Sequence, residues 1–396
     1  MNTLTNGQKT PNTGQYSFAL GEIGRFIQPD SQVRLKKTAT AVVYCEGNFG
    51  SVDGKTANGI VRYSEKYEIL SVIDSKKAGL DSGIVLDNKP NGIRIRRNLA
   101  DALKHAAVMP DAFIFGMAPS DGMLSAREKT LLLEAISLGM NVVSGLHEFL
   151  CEDDVFVAAS KEHNVELIDV RKPRAKKDLR MFSGRIAEVT CPRIAVLGTD
   201  CAIGKRTTAT ILTGALNEQG LKAVMIGTGQ TGIIQGARYG VALDAIPSQF
   251  CSGEIEATVI EAFEAERPDV IIIEGQGALS HPAFSSSIFI LRGAMPDGFI
   301  LQHAPGRAKR CDFSNMDMPT PTDEINLLQS FSDAKFIGLT LNHENMTEAE
   351  IEAAITSYER EFGMPVTDAL THSPKRLVDM IFSAFPALAK KMPTAA

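Results

Sequence analysis

One string narrows the folds open to this chain more than any other. It is the apolar run Arg193–Leu197 followed by Gly198-Thr199-Asp200-Cys201-Ala202-Ile203-Gly204-Lys205-Arg206-Thr207-Thr208. A strand, a glycine-framed loop, a lysine and a helix, in that order, make a phosphate-binding loop. The glycines let backbone N–H groups curl round an anion. The helix adds its unpaired N–H groups and the positive end of its dipole, and Lys205 adds a full charge. Such a loop sits at the carboxyl edge of a parallel sheet, so the C-terminal half reads as α/β.

The loop departs from the standard pattern twice. Five residues separate Gly198 from Gly204 where four are usual, and Arg206 stands between Lys205 and Thr207. The hydroxyl that holds Mg²⁺ normally follows the lysine directly. An arginine there weakens a nucleotide-cleaving reading and favours a ligand whose phosphates are a handle. Cys201 lies at a helix N-terminus, which lowers a thiol's pKa, so it is a minor candidate nucleophile.

Apolar strand patterns alternate with helical ones on both sides of the loop. In the N-terminal half, strands are expected at Ala39–Cys45, Tyr67–Asp74, Ala112–Phe115, Asn141–Ser144 and Val165–Val170, with helices at Lys55–Tyr63, Asn98–Val108 and Ser125–Gly139. The C-terminal half has expected strands at Lys222–Ile226, Val270–Ile273, Gly298–Leu301 and Phe336–Leu341. Its expected helices are Thr207–Gln219, Glu348–Phe362 and Lys375–Phe385. At 396 residues the chain exceeds what one core usually serves. Two domains are expected: a Rossmann-like parallel-sheet domain over 1–175, its first 38 residues an irregular arm, and a P-loop-containing domain over 176–396. Arg171–Arg185 carries seven basic residues, read as a solvated linker or the rim of an anion site. The loop Cys45–Lys55 begins like a dinucleotide turn but lacks GxGxxG, so NAD is a weak reading.

Further site residues follow from strand ends. Val270–Ile273 runs into Glu274-Gly275-Gln276-Gly277, which offers a carboxylate as base or metal ligand. Gly227–Gly232 is too glycine-rich for a regular element and reads as a loop close to a ligand, with Gly229 and Gln230 facing it. Gln276, His281, Arg307 and Arg310 are further substrate-binding candidates. The proton acceptors considered are Glu274, Asp200 and His303, with His281 a lesser one. The net charge of −6 argues against nucleic acid, and no apolar window is long enough for a membrane span. Six cysteines without a CxxC pair read as reduced thiols of a soluble, cytoplasmic protein, and no zinc cluster or other metal site is evident.

Taken together, the chain resembles the bacterial family that includes the D-glutamate N-acetyltransferases. The matching residues are Glu46-Gly47-Asn48-Phe49-Gly50 with Lys55-Thr56-Ala57, the loop Gly198–Thr208, Gly227–Gly232, Glu274–Leu279 with His281-Pro282, and His303-Ala304-Pro305-Gly306-Arg307. The resemblance implies acetyl-CoA as cosubstrate and a D-amino acid, foremost D-glutamate, as acceptor. Loop residues 198–208 would grip CoA, and Arg307 and Arg310 would hold the acceptor's carboxylates. A homodimer or larger homo-oligomer is expected. The alternatives are an ATP- and Mg²⁺-dependent ligase or kinase resembling dethiobiotin synthetase, with Glu274 on the metal, and a non-catalytic nucleotide-responsive regulator.

Overall fold

Two parallel sheets account for nearly all the strands. The computed structural model describes residues 39–119 and 122–391; the arm read over residues 1–38 lies outside them. In the first half the order is β1 (Ala39–Tyr44), α1 (Lys55–Arg62), β2 (Tyr67–Ile73), α2 (Ser82–Asp87), β3 (Arg94–Arg96), α3 (Leu99–Lys104), β4 (Ala112–Phe115), α4 (Ala126–Ser137), β5 (Asn141–Ser144), α5 (Asp154–His163) and β6 (Leu167–Asp169). The strands pair in the order β3-β2-β1-β4-β5-β6, all parallel. That is a doubly wound Rossmann-like sheet. Val42, Val43, Phe113, Ile114 and Val142 are fully buried, as strands covered on both faces require.

The loop after β1 is filled by the protein itself. The Asp74 carboxylate accepts from the amides of Gly47 (3.0 Å) and Phe49 (3.3 Å). These are the donors a dinucleotide phosphate would need, so this edge is packed as structure.

The second half continues with β7 (Arg193–Gly198), α6 (Lys205–Glu218), β8 (Ala223–Gly227), α7 (Gln230–Gln235), β9 (Tyr239–Gly240), α8 (Ser248–Glu266), β10 (Val270–Glu274), α9 (Ser287–Phe289), β11 (Gly298–His303), β12 (Lys309–Arg310), β13 (Phe313–Asp317), α10 (Pro321–Phe331), β14 (Lys335–Leu341), α11 (Glu348–Phe362), β15 (Val366–Asp368) and α12 (Lys375–Ala384). Its main sheet runs β15-β14-β11-β7-β10-β8-β9, and β12 and β13 form a separate small hairpin. The strand bearing the phosphate loop lies near the middle, between β11 and β10. No described helix is long and apolar enough to cross a membrane.

The segment 171–185 lies along α8 and is tied to it. Glu254 accepts from the Arg180 backbone and guanidinium, and Glu256 accepts from the amides of Ser183 and Ile186. Arg171 bonds the Gly145 carbonyl and Asp244, linking the first domain to the second. The segment is largely exposed, as expected of a solvated linker, and is pinned to α8 at Arg180 and Ser183 by the buried carboxylates.

Gly227–Gly232 needs a correction too. It leads into a helix, α7, which docks on α1 of the first domain. The Gln235 side chain donates to the carbonyls of Gly59 (2.6 Å) and Tyr63 (2.7 Å), and Thr231 bonds Thr56 through their hydroxyls (3.0 Å). Arg206 completes the contact. A Cβ at Gly59 would lie 2.4 Å from its guanidinium nitrogens. A Cβ here and the guanidinium could not both keep their places. Gly59→Ala is expected to destabilise the protein by roughly 1–3 kcal/mol through overpacking. Denaturant unfolding measures this, and adding Arg206→Ala to Gly59→Ala should recover part of the loss by removing the clash.

Candidate functional site

The phosphate loop forms as its sequence requires. β7 delivers the chain to Gly198, and Gly204, at φ 108°, turns it into α6 in a region that L residues avoid. Lys205 is buried, and its ammonium folds back onto the Asp200 carbonyl. Burial pushes its pKa down, opposed mainly by Cys201 and Asp200. Thr208 donates to the Gln302 side chain at the end of β11 (2.6 Å). Arg206 points away from the loop toward α1, so it does not stand beside Lys205 as a second cation for the ligand.

Asp200 sits inside the loop with no solvent exposure. One carboxylate oxygen accepts from Arg307 (3.0 Å) and from the Cys311 amide (2.8 Å). Arg307 also donates to the Cys201 and Ala202 carbonyls and to Glu344. Arg310 donates to the Thr199 carbonyl (3.1 Å) and to Ser280. Both arginines thus hold the loop from behind, and the NH groups expected to meet an acceptor's carboxylates are engaged by the protein.

Two buried atoms in this cluster lack a hydrogen bond: the second Asp200 oxygen and Nε2 of His281, 3.6 Å apart. His281 Nδ1 accepts from the amides of Ala283 (3.2 Å) and Phe284 (2.9 Å). The ring proton must then sit on Nε2, facing Asp200. Burial and the nearby Arg310 push its pKa below the usual value. His281 is a neutral donor here, not a proton acceptor.

Glu274 lies at the end of β10, buried, where its carboxylate accepts from the Thr228 amide (2.9 Å). Burial pushes its pKa up, opposed by Arg206, the amides of Thr228 and Gly229, and Lys205. The next residue backs closely onto β7: a Cβ on Gly275 would meet the Val196 carbonyl at 2.0 Å. Gln276 packs against Gly229, and Gln230 against Gly145. These residues gather where the two domains meet.

His303 is buried at the end of β11. Its Nδ1 bonds the Thr199 hydroxyl (2.9 Å), and its ring meets Tyr358 edge-on. Burial pushes its pKa down to about 4.

The sequence reading missed a histidine two residues past the end of β14. His343 Nδ1 lies 2.5 Å from Asp368, which is 1% exposed and also accepts from the Thr371 hydroxyl and the Leu370 amide. The ring is half-exposed, and its Nε2 has no partner among the described residues. Its neighbours fasten it to the phosphate loop, Asn342 through the Ile203 carbonyl (3.0 Å) and Glu344 through Arg307. A histidine in the first residues after a core strand, at its carboxyl end, was the available signal.

Comparison with known proteins agrees with this architecture. The family model described as the P-loop domain of DUF1611, a domain of unknown function, matches residues 180–378, and the family's Rossmann-like domain matches 75–173. The chain belongs to the DUF1611 family. A crystal structure of a DUF1611 family protein from Anabaena variabilis superposes with a TM-score of 0.80 at 28% identity, covering 87% of this chain and 99% of that one. A protein from a Pseudoalteromonas species named D-glutamate N-acetyltransferase is 33% identical over 264 residues, 65% of this chain and 77% of that protein. One of the same name from Tritonibacter scottomollicae is 30% identical over 274 residues, 68% of this chain and 80% of its own.

Two outcomes are expected. The depressed His303 pKa means that the unfolded chain takes up a proton near pH 6.5 while the folded one does not. Stability present above pH 6.5 should fall as the pH drops toward about 4, by up to about 3 kcal/mol. His303→Gln should flatten that slope in urea titrations. Glu274→Gln removes a carboxylate from beside Arg206 and Lys205. If Glu274 holds the fold, the melting temperature drops while turnover per folded molecule stays near normal; a stable variant with a large loss of turnover would make it the base instead.

Proposed function

We propose that this protein transfers the acetyl group of acetyl-CoA to the amino group of D-glutamate. The observation that carries the reading is a phosphate loop whose lysine is followed not by a metal-binding hydroxyl but by Arg206, turned onto α1. The relatives named D-glutamate N-acetyltransferase supply the reaction class. A loop of this kind suits a cosubstrate held by its phosphates and reacting elsewhere. CoA has a diphosphate for the loop amides and Lys205, and its thioester is already activated, so no nucleotide need be cleaved.

The acceptor's ammonium must lose a proton before its nitrogen attacks the thioester carbonyl. The tetrahedral intermediate then collapses with CoA thiolate as leaving group. A base held by a third group is the arrangement this step needs. His343 has it: Asp368 fixes the proton on Nδ1 and leaves Nε2 free to accept. Arg307 and Arg310 contribute by holding the loop's shape.

Thiol release from acetyl-CoA, measured across D- and L-amino acids with and without ATP and Mg²⁺, tests the reaction. Release is expected with D-glutamate and no ATP; turnover that requires ATP and yields ADP contradicts it and supports a ligase. His343→Ala should lower kcat by roughly 10²–10⁴-fold, the usual share of a positioned base, with little change in KM for acetyl-CoA. A raised KM with unchanged kcat would make His343 a donor-binding residue.

A further inference from the structure

Two thiols meet in the phosphate loop, and the acetyl-transfer chemistry uses neither. Cys201 lies in the loop between Asp200 and Ala202, and Cys311 follows β12. Their sulfurs and an Asp200 oxygen all lie within 4.8 Å of one another, and the Cys311 thiol donates to the neighbouring Asp312 carboxylate (2.9 Å). Both residues are partly exposed, unlike Cys45, Cys191 and Cys251, which are buried. Cys151 is partly exposed too, but it is partnered by Lys172 in the other domain.

The surroundings favour a thiolate on Cys201. The adjacent Cys311 thiol and Lys205 lower its pKa against the opposing effect of burial, while Cys311, bonded to the Asp312 carboxylate, keeps its proton. A thiolate that is accessible, held in a cationic setting and next to a second thiol is how a peroxide-sensitive cysteine and its resolving partner are arranged. The same setting disfavours a metal: Arg307 and Arg310 stand 3.0 and 3.8 Å from the Asp200 oxygens, and Lys205 is close by.

We propose that Cys201 and Cys311 form a reversible oxidation site that closes the phosphate loop. The Cys201 thiolate attacks one oxygen of hydrogen peroxide, the O–O bond breaks and hydroxide leaves, giving a sulfenic acid. The Cys311 thiol attacks that sulfur, the S–S bond forms, the S–O bond breaks, and its own proton leaves with the hydroxyl as water. Two thiols are oxidised by two electrons and one peroxide is reduced to two waters. The disulfide ties the loop at residue 201 to the chain just after β12. That strand already anchors the loop through Arg310 and the Thr199 carbonyl. The cross-link fixes residue 201 within the turn that would receive a phosphate, and a dithiol reductant restores it.

The test treats full-length protein with hydrogen peroxide, alkylates the remaining thiols and locates them by peptide mass spectrometry. Inorganic pyrophosphate is the binding probe, because CoA would itself exchange with a disulfide. Cys201 and Cys311 should lose alkylation together, as one cross-linked peptide pair that dithiothreitol releases, while the buried cysteines stay reduced. Pyrophosphate affinity should fall tenfold or more on oxidation and recover on reduction. Cys311→Ser, checked for an unchanged melting temperature, should stop at a sulfenic acid on Cys201 that dimedone captures. Cys201→Ser should leave Cys311 alkylatable. Oxidation of Cys201 without a link to Cys311, or a disulfide that leaves pyrophosphate binding unchanged, overturns the proposal. None of these readouts depends on the acyl acceptor, so failure of acetyl transfer and failure of the thiol pair are seen separately.

Discussion

The pairing of Asp200 with Arg307 is the contact on which the site depends. A carboxylate with no solvent exposure inside an anion-binding loop is costly unless it is neutralised and hydrogen-bonded. Arg307 neutralises it, and the Cys311 amide supplies a further bond. The same guanidinium holds the Cys201 and Ala202 carbonyls, so their amides are free to turn toward a ligand. Arg310 repeats the device one step back, at Thr199. Removing either arginine would leave buried or part-buried carbonyls unpaired in the wall of the loop, which is why both are read as holding its shape.

The second constraint is the join between the sheets. Gln235, Thr231 and Arg206 all reach α1, and Ile234 is buried in the core of the first domain. Arg206 is the residue next to the phosphate-loop lysine, so the loop and the domain contact are set by consecutive side chains. A change in the angle between the domains would be felt at the start of α6. The contact gives Arg206 a structural place at a position where a hydroxyl is usual.

Much of this was legible in the sequence because the strands are apolar runs and the loop motif has one structural meaning. Glu348–Phe362 matches its helix to the residue, since Thr347 forms a capping box with Glu350 and Gly363 closes the other end. What stayed hidden has physical causes. The 19-residue helix α8 is buried on most sides, so it shows no amphipathic face, and two of its buried residues, Glu254 and Glu256, look like surface positions until their partners Arg180 and Ser183 are known. The short helix α7 carries its one glycine where it packs closely against Glu274: a Cβ on Gly232 would lie 2.5 Å from the carboxylate. Glycine spacing alone does not distinguish that from a ligand loop. At the site, the sequence shows which residues are charged but not which partners they take. Arg307 looks like an open fork in sequence and is a loop brace in structure, and the pairing of His343 with Asp368 joins residues 25 positions apart.

The central claim is that residues 198–208 hold a diphosphate through backbone amides and Lys205, without a metal. Calorimetric titration of CoA into the wild-type protein and Lys205→Ala, each with Mg²⁺ and with a chelator, tests it most directly. The account predicts that the wild type binds equally in both conditions. It predicts that the variant, still folded, binds about ten- to a hundredfold more weakly, the weight of one charge-assisted hydrogen bond. Equal CoA affinity in the two proteins, or wild-type binding that vanishes with the chelator, would contradict it.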